Sequence, residues 1–430
     1  MKKIPFTGFD CFFLALEKHD KYKGTSGNTC RYVFDFDGHI TTKELQVLLE
    51  KNKIVDFLCS LRYKKKHLFS NPYWFVGGEI KFIVNEVVSD EPIPDQILKE
   101  KVSLERIPLL FDLIQRSNGS TSFIFSWHHL LMDGYGAVLF LKQLFSNTEA
   151  KFEVLSSNET PTFTFDALFK AVKAKFFIDK TSKGLLSGVT PKRIPKKVKQ
   201  RVGIISFSKS ETQQIDTTAI GVGAMYGRTA FLLACSARAV QTILEIRNEK
   251  VTNFWIPVPR DNRKKGGNGP ILGNRLSFLF YRLRKNELNS IKETVREINN
   301  QMVSQIKMNM PTFYNHLMNF MKWLPLNLYY YLIQRKGVNA IAGFLFTTAP
   351  DHPKELMQVF GKNVVHAVNL PSNTYPPGIT FSYMNFNGSL QLMILYYEQV
   401  ITENEYKAVE QHLRKELLTG KEYSHEYVSS

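Results

Sequence analysis

Residues 123–136 read Phe123-Ile124-Phe125-Ser126-Trp127-His128-His129-Leu130-Leu131-Met132-Asp133-Gly134-Tyr135-Gly136. The β-branched and aromatic residues from Thr121 to Trp127 are typical of a buried strand. Apolar side chains then recur at helical spacing, which predicts a helix over 137–144. The two histidines therefore stand in a loop between a strand and a helix, where rigid elements often display reactive side chains.

A histidine pair in this position has three interpretations. Neutral imidazole moves protons near pH 7, so one histidine can serve as an acid or base. The pair can also be two hydrogen-bonded polar residues of a core, or two metal ligands completed by Asp133. Adjacent side chains on an extended segment point to opposite faces, which argues against a shared metal ion. The same alternation predicts that one histidine faces a cavity while its neighbour packs inward.

The pattern H-H-x-x-x-D-G, carried by His128, His129, Asp133 and Gly134, resembles the signature of thioester-dependent acyltransferases. That superfamily includes chloramphenicol acetyltransferase, condensation domains of nonribosomal peptide synthetases and wax-ester-synthase-like enzymes. The resemblance implies an α/β fold of two chloramphenicol-acetyltransferase-like subdomains, each a mixed β-sheet with flanking helices, around a central active-site tunnel. It implies no metal and no cofactor, since the acyl thioester is itself a substrate.

The resemblance also implies a role for each motif residue. His129 is expected to be the general base, which takes a proton from the acceptor as that atom attacks the thioester carbonyl. His128 is expected to be its structural neighbour. Asp133 is expected to pair with an arginine and hold the loop in shape. Gly134 is expected to permit close backbone approach or a dihedral angle closed to residues with a Cβ.

Three further candidates from the second half are predicted by resemblance to contact substrate. Arg260 ends a predicted strand and is the candidate partner of Asp133, the alternative being a solvated loop arginine. Asn274 precedes the strand that is expected to line the tunnel. Thr347 is the candidate to offer a hydroxyl to the thioester oxygen. An aspartate near the start, Asp10, also resembles the opening of wax-ester-synthase-like and condensation domains.

Composition restricts the partners. The chain has 430 residues, enough for two cores, and a formal net charge of +17. Such an excess favours anionic partners, namely coenzyme A phosphates, an acidic carrier protein or an anionic membrane surface. Zinc-finger spacing and aromatic RNA-binding patterns are missing from the sequence, so no nucleic-acid partner is predicted.

Cysteine usage and hydropathy predict a cytoplasmic protein. The four cysteines lack C-x-x-C spacing, and the first residues lead into no long apolar stretch. No uninterrupted apolar run reaches the roughly 18 residues that span a bilayer. Membrane contact is therefore predicted to be peripheral if it occurs.

The chain is predicted to divide into a first subdomain over 1–180, a basic linker over 181–201 and a second subdomain over 202–430. The linker is either a crossover that attracts phosphates or a soluble tether. The predicted helix 163–177 has one apolar face, formed by Phe165, Leu168, Phe169, Val172 and Phe176. Residues 308–333 are rich in aromatic residues and methionine, which is compatible with a core helix, an acyl tunnel floor or a membrane interface.

The predicted function is acyl transfer from a coenzyme A or carrier-protein thioester to an alcohol, phenol or amine. The aromatic stretch and the basic surface favour lipid synthesis of the wax-ester type. The length favours a stand-alone condensation-like amide or ester synthase of secondary metabolism. A third hypothesis is a scaffold that binds a carrier protein or an acyl chain without turnover.

Overall fold

The computed structural model describes residues 3–65, 70–78, 82, 84–146, 164–191, 193–263, 269–335, 338 and 340–423. The strands are β1 Lys3–Pro5, β2 Thr29–Phe36, β3 Leu61–Lys64, β4 Tyr73–Val76, β5 Val84–Val88, β6 Leu109–Gln115, β7 Thr121–His128, β8 Gln200–Ser206, β9 Asn253–Asp261, β10 Leu276–Arg284, β11 Leu345–Thr348, β12 Gln358–Val359, β13 Lys362–Leu370, β14 Ile379–Phe386 and β15 Ser389–Tyr397. The helices are α1 Gly8–His19, α2 Thr42–Glu50, α3 Lys53–Ser60, α4 Asp95–Lys99, α5 Gly134–Phe145, α6 Phe165–Thr181, α7 Lys209–Gly221, α8 Thr229–Ile246, α9 Ile291–Lys307, α10 Met310–Met321, α11 Leu326–Ile333 and α12 Glu403–Thr419.

Six strands form the first sheet, in the order β12-β13-β2-β7-β6-β5. Strands β5 and β6 are parallel, and the other neighbours are antiparallel. All residues of β7 are buried, because this strand lies inside the sheet with both faces covered. The loop that carries the histidine pair therefore leaves a rigid central strand.

The second half contains a sheet in the order β11-β14-β15-β8 and the antiparallel hairpin β9–β10. Helix α8 packs against α12 and α9 beside this sheet. Within the described part of the chain, α8 alone is long and apolar enough to cross a bilayer, and 78% of it is buried inside the protein. That burial is typical of a core helix.

The predicted division of the chain needs one correction. Strands β12 and β13 follow the linker, yet β13 pairs with β2 of the first sheet, with Val368 opposite Val33. Residues 358–370 therefore complete the first subdomain, although the prediction placed them in the second. Without them β2 would be an edge strand with unpaired backbone groups.

The apolar face predicted for helix 163–177 points in the opposite direction from the expected one. Helix α6 packs against α10 through a narrow face of small residues, which lets the two backbones come close. The buried residues of α6 are Ala167, Ala171, Ala174 and Ile178. The five large side chains that were expected in the core are instead exposed. Phe163, the first residue of the predicted helix, lies outside the described residues.

Helices α10 and α11 account for the aromatic stretch 308–333. Tyr314 and Tyr329 are fully buried, and Tyr329 donates a hydrogen bond to Met318 Sδ at 2.9 Å. Most of α10 therefore belongs to the core. Tyr331, on the outer side of α11, is 62% exposed, so the core interpretation does not cover the whole stretch.

Candidate active site

The histidine loop is fixed at both ends by backbone hydrogen bonds. The His129 N–H donates to the Asn28 carbonyl at 2.8 Å, and the Leu131 N–H donates to the His128 carbonyl at 2.8 Å. Asp133 begins α5, because its Oδ1 accepts the N–H of Gly136 at 2.8 Å. The loop thus runs from a central strand directly into a capped helix.

His128 is 1% exposed, and its ring lies between the loop backbone and Glu17. Its Nδ1 accepts the Leu130 N–H at 3.1 Å, and its Nε2 lies 3.5 Å from Glu17 Oε2. Burial alone would raise the pKa of Glu17, but the hydrogen bond and charge of His128 lower it below its usual value. An ionised Glu17 therefore orients His128, as a structural neighbour requires. The sequence offered no signal for Glu17, which reaches the motif from α1.

His129 is the less deeply buried of the two histidines. Its side chain is partly exposed, and its ring stacks on Phe13 with 3.8 Å between ring centroids. Its Nδ1 makes no hydrogen bond within the described residues. Burial lowers the pKa of His129 to about 4, so the ring is neutral at pH 7 and can accept a proton.

Asp133 forms the expected ion pair, but with a different arginine. Its Oδ2 lies 2.9 Å from Arg263 Nη1 and accepts the Arg275 N–H at 2.8 Å. The prediction that Arg260 is the partner is wrong, since Arg260 is exposed within β9. Arg263 lies beyond the end of that strand, where the chain turns back towards the histidine loop. Its guanidinium also lies 5.1 Å from the centre of the Tyr135 ring.

Asn274 connects three parts of the site. Its Nδ2 donates to Asp10 Oδ1 at 2.7 Å and to the His129 carbonyl at 2.9 Å. The neighbouring Gly273 N–H donates to the Leu131 carbonyl at 2.7 Å. Asn274 is 2% exposed and positions the loop, and its contact with substrate stays a prediction. Asp10, noted in the sequence only as a resemblance, is its anchor.

The close backbone approach expected at Gly134 occurs two residues later. A Cβ on Gly134 would lie 3.4 Å from Asn369 Nδ2, which is close to an ordinary contact. A Cβ on Gly136 would lie 2.5 Å from the Ile271 carbonyl oxygen, which is too short for any side chain. Gly136 therefore lets the segment before Asn274 lie against the start of α5. The available signal was a second glycine at the start of a predicted helix.

Thr347 lies on β11, opposite Ser382 of the parallel strand β14, and is partly exposed. The nearest approach of this segment to the motif comes from Pro350, whose Cδ would lie 3.6 Å from a Cβ on Gly134. Contact between Thr347 and substrate stays a prediction.

Two cavities flank the histidine site where one tunnel was predicted. The first holds about 20 Å³, is lined by Glu17 and Asn28, and shares His19 and Tyr330 with an outer groove of about 820 Å³. We call this outer region the basic mouth; its cationic side chains are Lys21, Lys23, Lys196 and Lys197. The Phe13 ring fills the space beside His129, which explains why these cavities stop short of the imidazole.

The second cavity, which we call the apolar cavity, holds about 50 Å³. Its residues come from α1, α6, α10, α11 and the β9–β10 hairpin, and they include Phe12, Ile178, Trp255, Phe278, Leu317, Met321 and Ile333. Phe12 contacts Phe13, the residue that stacks on His129. The apolar cavity therefore lies one aromatic ring away from the stacked pair.

Comparisons with known proteins gave a match to one family model and matches to several solved structures. Residues 272–416 match the family model described as the WS/DGAT C-terminal domain. The first condensation domain of the CDA synthetase superposes with a TM-score of 0.70 at 13% identity, covering 97% of this chain and 96% of that one. The chain therefore has the fold of this condensation domain, the chloramphenicol-acetyltransferase-like fold.

Two more solved structures share this fold. A trichothecene 15-O-acetyltransferase from Fusarium sporotrichioides has a TM-score of 0.71 at 12% identity, with coverage of 97% and 95%. A starter condensation domain of rhizomide synthetase, in complex with C8-CoA and Leu-SNAC, has a TM-score of 0.65 at 11% identity, with coverage of 97% and 94%. None of the curated protein sequences compared with the chain matches it. Together the family match and the shared fold support an acyl-transferring enzyme.

Proposed function

We propose that this acyltransferase moves an acyl group from a coenzyme A or carrier-bound thioester to a hydroxyl or amine, with His129 as general base. The observation that carries the proposal is a neutral, partly exposed His129 whose neighbours are fixed by Glu17, Asn28 and Asn274. The acceptor proton passes to His129 while the acceptor atom forms a bond to the thioester carbonyl carbon. The carbon–sulfur bond then breaks, and the departing thiolate takes up a proton.

The basic mouth supports a donor that carries phosphates. Two chain segments meet there, because the Lys23 N–H donates to the Lys196 carbonyl at 2.9 Å and the Val198 N–H donates to the Lys23 carbonyl at 2.8 Å. None of the four lysines of the basic mouth forms an ion pair with a carboxylate of the described residues. Uncompensated lysines of this kind attract the phosphates of coenzyme A or of a phosphopantetheine arm.

The apolar cavity supports an acyl chain rather than a polar group as one reactant. Its lining is almost entirely aromatic and aliphatic, and it borders the Phe12–Phe13 pair next to His129. This lining and the WS/DGAT family match favour an ester product made from a lipid acyl chain. The fold of condensation domains supports an amide product as the second candidate.

The experiment is mass spectrometry of products from acyl-coenzyme A donors of graded chain length with pooled alcohols, phenols and amines. The His129→Ala variant should turn over about 10²–10⁴-fold more slowly, because the proton acceptor is lost while folding is kept. His39→Ala, at an exposed histidine, is the matched control and should keep wild-type turnover. Equal turnover in folded His129→Ala would contradict the role of His129. Donor binding without product from any pair would support the non-catalytic scaffold instead.

The pH profile tests the same group independently. Burial lowers the pKa of His129 to about 4, so the imidazole stays neutral well below the pH at which a free histidine becomes protonated. We expect kcat/KM to hold between pH 7 and pH 6 and to fall only as the pH approaches about 4. An acid limb centred at or above about pH 6.5 would contradict this assignment.

A further inference from the structure

The outer face of α6 carries large apolar side chains that no described part of the chain covers. We call this set the α6 stripe, and it consists of Phe165, Leu168, Phe169, Val172 and Phe176, which are 44–91% exposed. They follow one another at steps of three, one, three and four residues, which places all of them on one side of the helix. Scattered apolar residues are normal on a protein surface, but a continuous stripe of this size marks an interaction surface.

The α6 stripe cannot turn inward, because the opposite face of the helix is already packed. Ala167, Ala171, Ala174 and Ile178 are buried against α10. The exposed apolar surface also continues past the helix end, since Leu185 is 74% exposed. The helix is thus held rigidly on the body of the protein with its stripe outward.

The charges around the stripe favour an anionic partner. Lys170 and Lys175 pair with aspartates one helical turn away, so these charges cancel. Lys173 and Lys180 form no ion pair with a carboxylate of the described residues, and Lys173 Nζ lies 4.5 Å from the centre of the Phe169 ring. Lysines that border an apolar stripe extend their charged ends to the phosphate level of a lipid surface while their stems stay apolar.

Helix α6 also connects the outer surface to the apolar cavity. Lys175 and Ile178 line that cavity from the inner side of the same helix that carries the stripe outside. A surface that met the stripe would therefore lie one helix diameter, about 10 Å, from the cavity. Lipid-soluble reactants concentrated in that surface would then be close to the cavity.

We infer that the α6 stripe docks the protein on an anionic lipid surface. The formal charge of +17 complements such a surface and opposes the pairing of two copies of the chain. Aromatic and leucine side chains insert at the boundary between headgroups and acyl chains, which matches the composition of the stripe. This inference concerns where the protein binds and does not depend on acyl transfer.

The test is sedimentation of the full chain with phosphatidylcholine vesicles, with and without phosphatidylserine. We expect binding to the anionic vesicles that weakens as salt is raised, and weaker binding to phosphatidylcholine alone. The triple variant Phe165→Ser, Phe169→Ser, Phe176→Ser should lower the partition coefficient at least tenfold, because about three buried aromatic rings are lost.

The matched control removes apolar residues of similar exposure from another surface. Ile220→Ser, Met225→Ser, Tyr226→Ser changes side chains that are 63–80% exposed in and after α7, and it should bind vesicles as the wild type does. His129→Ala should also bind normally, which separates docking from catalysis. The inference is overturned if the wild-type chain stays in solution with both vesicle types, or if the α6 and control variants bind equally. It is also overturned if the α6 variant changes only self-association in analytical ultracentrifugation.

Discussion

The protein contains two buried arginine–carboxylate pairs that look alike and serve different ends. In the first, Arg263 Nη1 lies 2.9 Å from Asp133 Oδ2, with side chains 5% and 2% exposed. In the second, Arg238 Nε lies 2.8 Å from Glu416 Oε1, with side chains 8% and 0% exposed. The first joins the histidine loop to the segment after β9, whereas the second joins α8 to α12 inside the second core.

The difference lies in what else each carboxylate touches. Glu416 Oε2 lies 3.1 Å from His412 Nε2, and His412 Nδ1 lies 2.9 Å from Thr242 Oγ1, so that network is closed within the core. Asp133 instead caps α5 with its other oxygen and accepts a backbone N–H from the segment that holds His129. A buried ion pair is therefore part of a site only when its partners also position a reactive group.

The largest expected effect is that of Asp133→Ala. The substitution removes the buried carboxylate partner of Arg263 and leaves only the partly exposed Asp261, whose Oδ1 lies 3.1 Å from Arg263 Nη1. We expect a cost of about 3–5 kcal/mol for the lost pair and about 1 kcal/mol more for the lost cap of α5. Because the same change releases the segment beside His129, activity per folded molecule should fall as well. Urea unfolding and steady-state rates measure the two effects. If Asp133→Ala kept wild-type stability and rate, the Arg263–Asp133 pair would have no special role in the site.

Glu416→Ala should be the next most damaging substitution, and only for stability. Arg238 would remain buried without a carboxylate, at a cost of about 3–5 kcal/mol in the free energy of unfolding. Rates measured below the unfolding transition should match the wild type, since no residue of this network contacts the histidine loop in the described structure. Loss of activity in the fully folded variant would show that the second pair also supports the site.

Arg263→Lys sharpens the assignment of the first pair. A lysine keeps the charge but loses the planar group whose Nη1 meets Asp133 and whose Nη2 donates to the Pro270 carbonyl at 3.3 Å. We expect a loss of about 1.5–3 kcal/mol in the free energy of unfolding, measured by urea titration. Arg260→Lys is the control and should change nothing, because that side chain is exposed. The reverse result would restore Arg260 as the partner.

The smallest expected effect separates the two glycines of the loop. Gly136→Ala forces a Cβ against the Ile271 carbonyl oxygen, which should cost about 1–3 kcal/mol and lower the melting temperature. Gly134→Ala meets only near-ordinary contacts, so its melting temperature should stay close to that of the wild type. Equal melting temperatures for both variants would mean that the segment before Asn274 does not press on α5.

Local sequence patterns predicted the helices and strands well. The sequence did not predict which residues from distant segments contact the histidine loop. Strand β7 and helix α5 follow from the β-branched and aromatic run before the histidines and from the helical spacing after them, which act within a few residues. Glu17 and Arg263 reach the histidine loop across more than a hundred residues, and nothing local marks them. Arg260 was predicted as the partner because it ends a predicted strand. The direction in which a strand side chain points, however, is set by the sheet around the strand.

The face of α6 shows a second limit. Hydrophobic spacing identified the helix correctly, yet periodicity alone does not say which side of a helix meets the protein. Small residues such as Ala171 and Ala174 lie on the packed side of α6, because α10 approaches closely there. Likewise, β13 reads as an ordinary strand in sequence, and only its pairing with β2 shows that it belongs to the first sheet.

The pairing of β13, from the second half, with β2 of the first sheet has a consequence for how the chain folds. The edge of β2 stays open during synthesis until Leu370 has left the ribosome, so the first half waits for the second before its sheet is complete. Proteolytic cutting in the linker of the finished protein would yield two fragments still joined by a continuous ladder of hydrogen bonds between β13 and β2. The two halves therefore share one sheet, and the first sheet is incomplete without a strand from the second half.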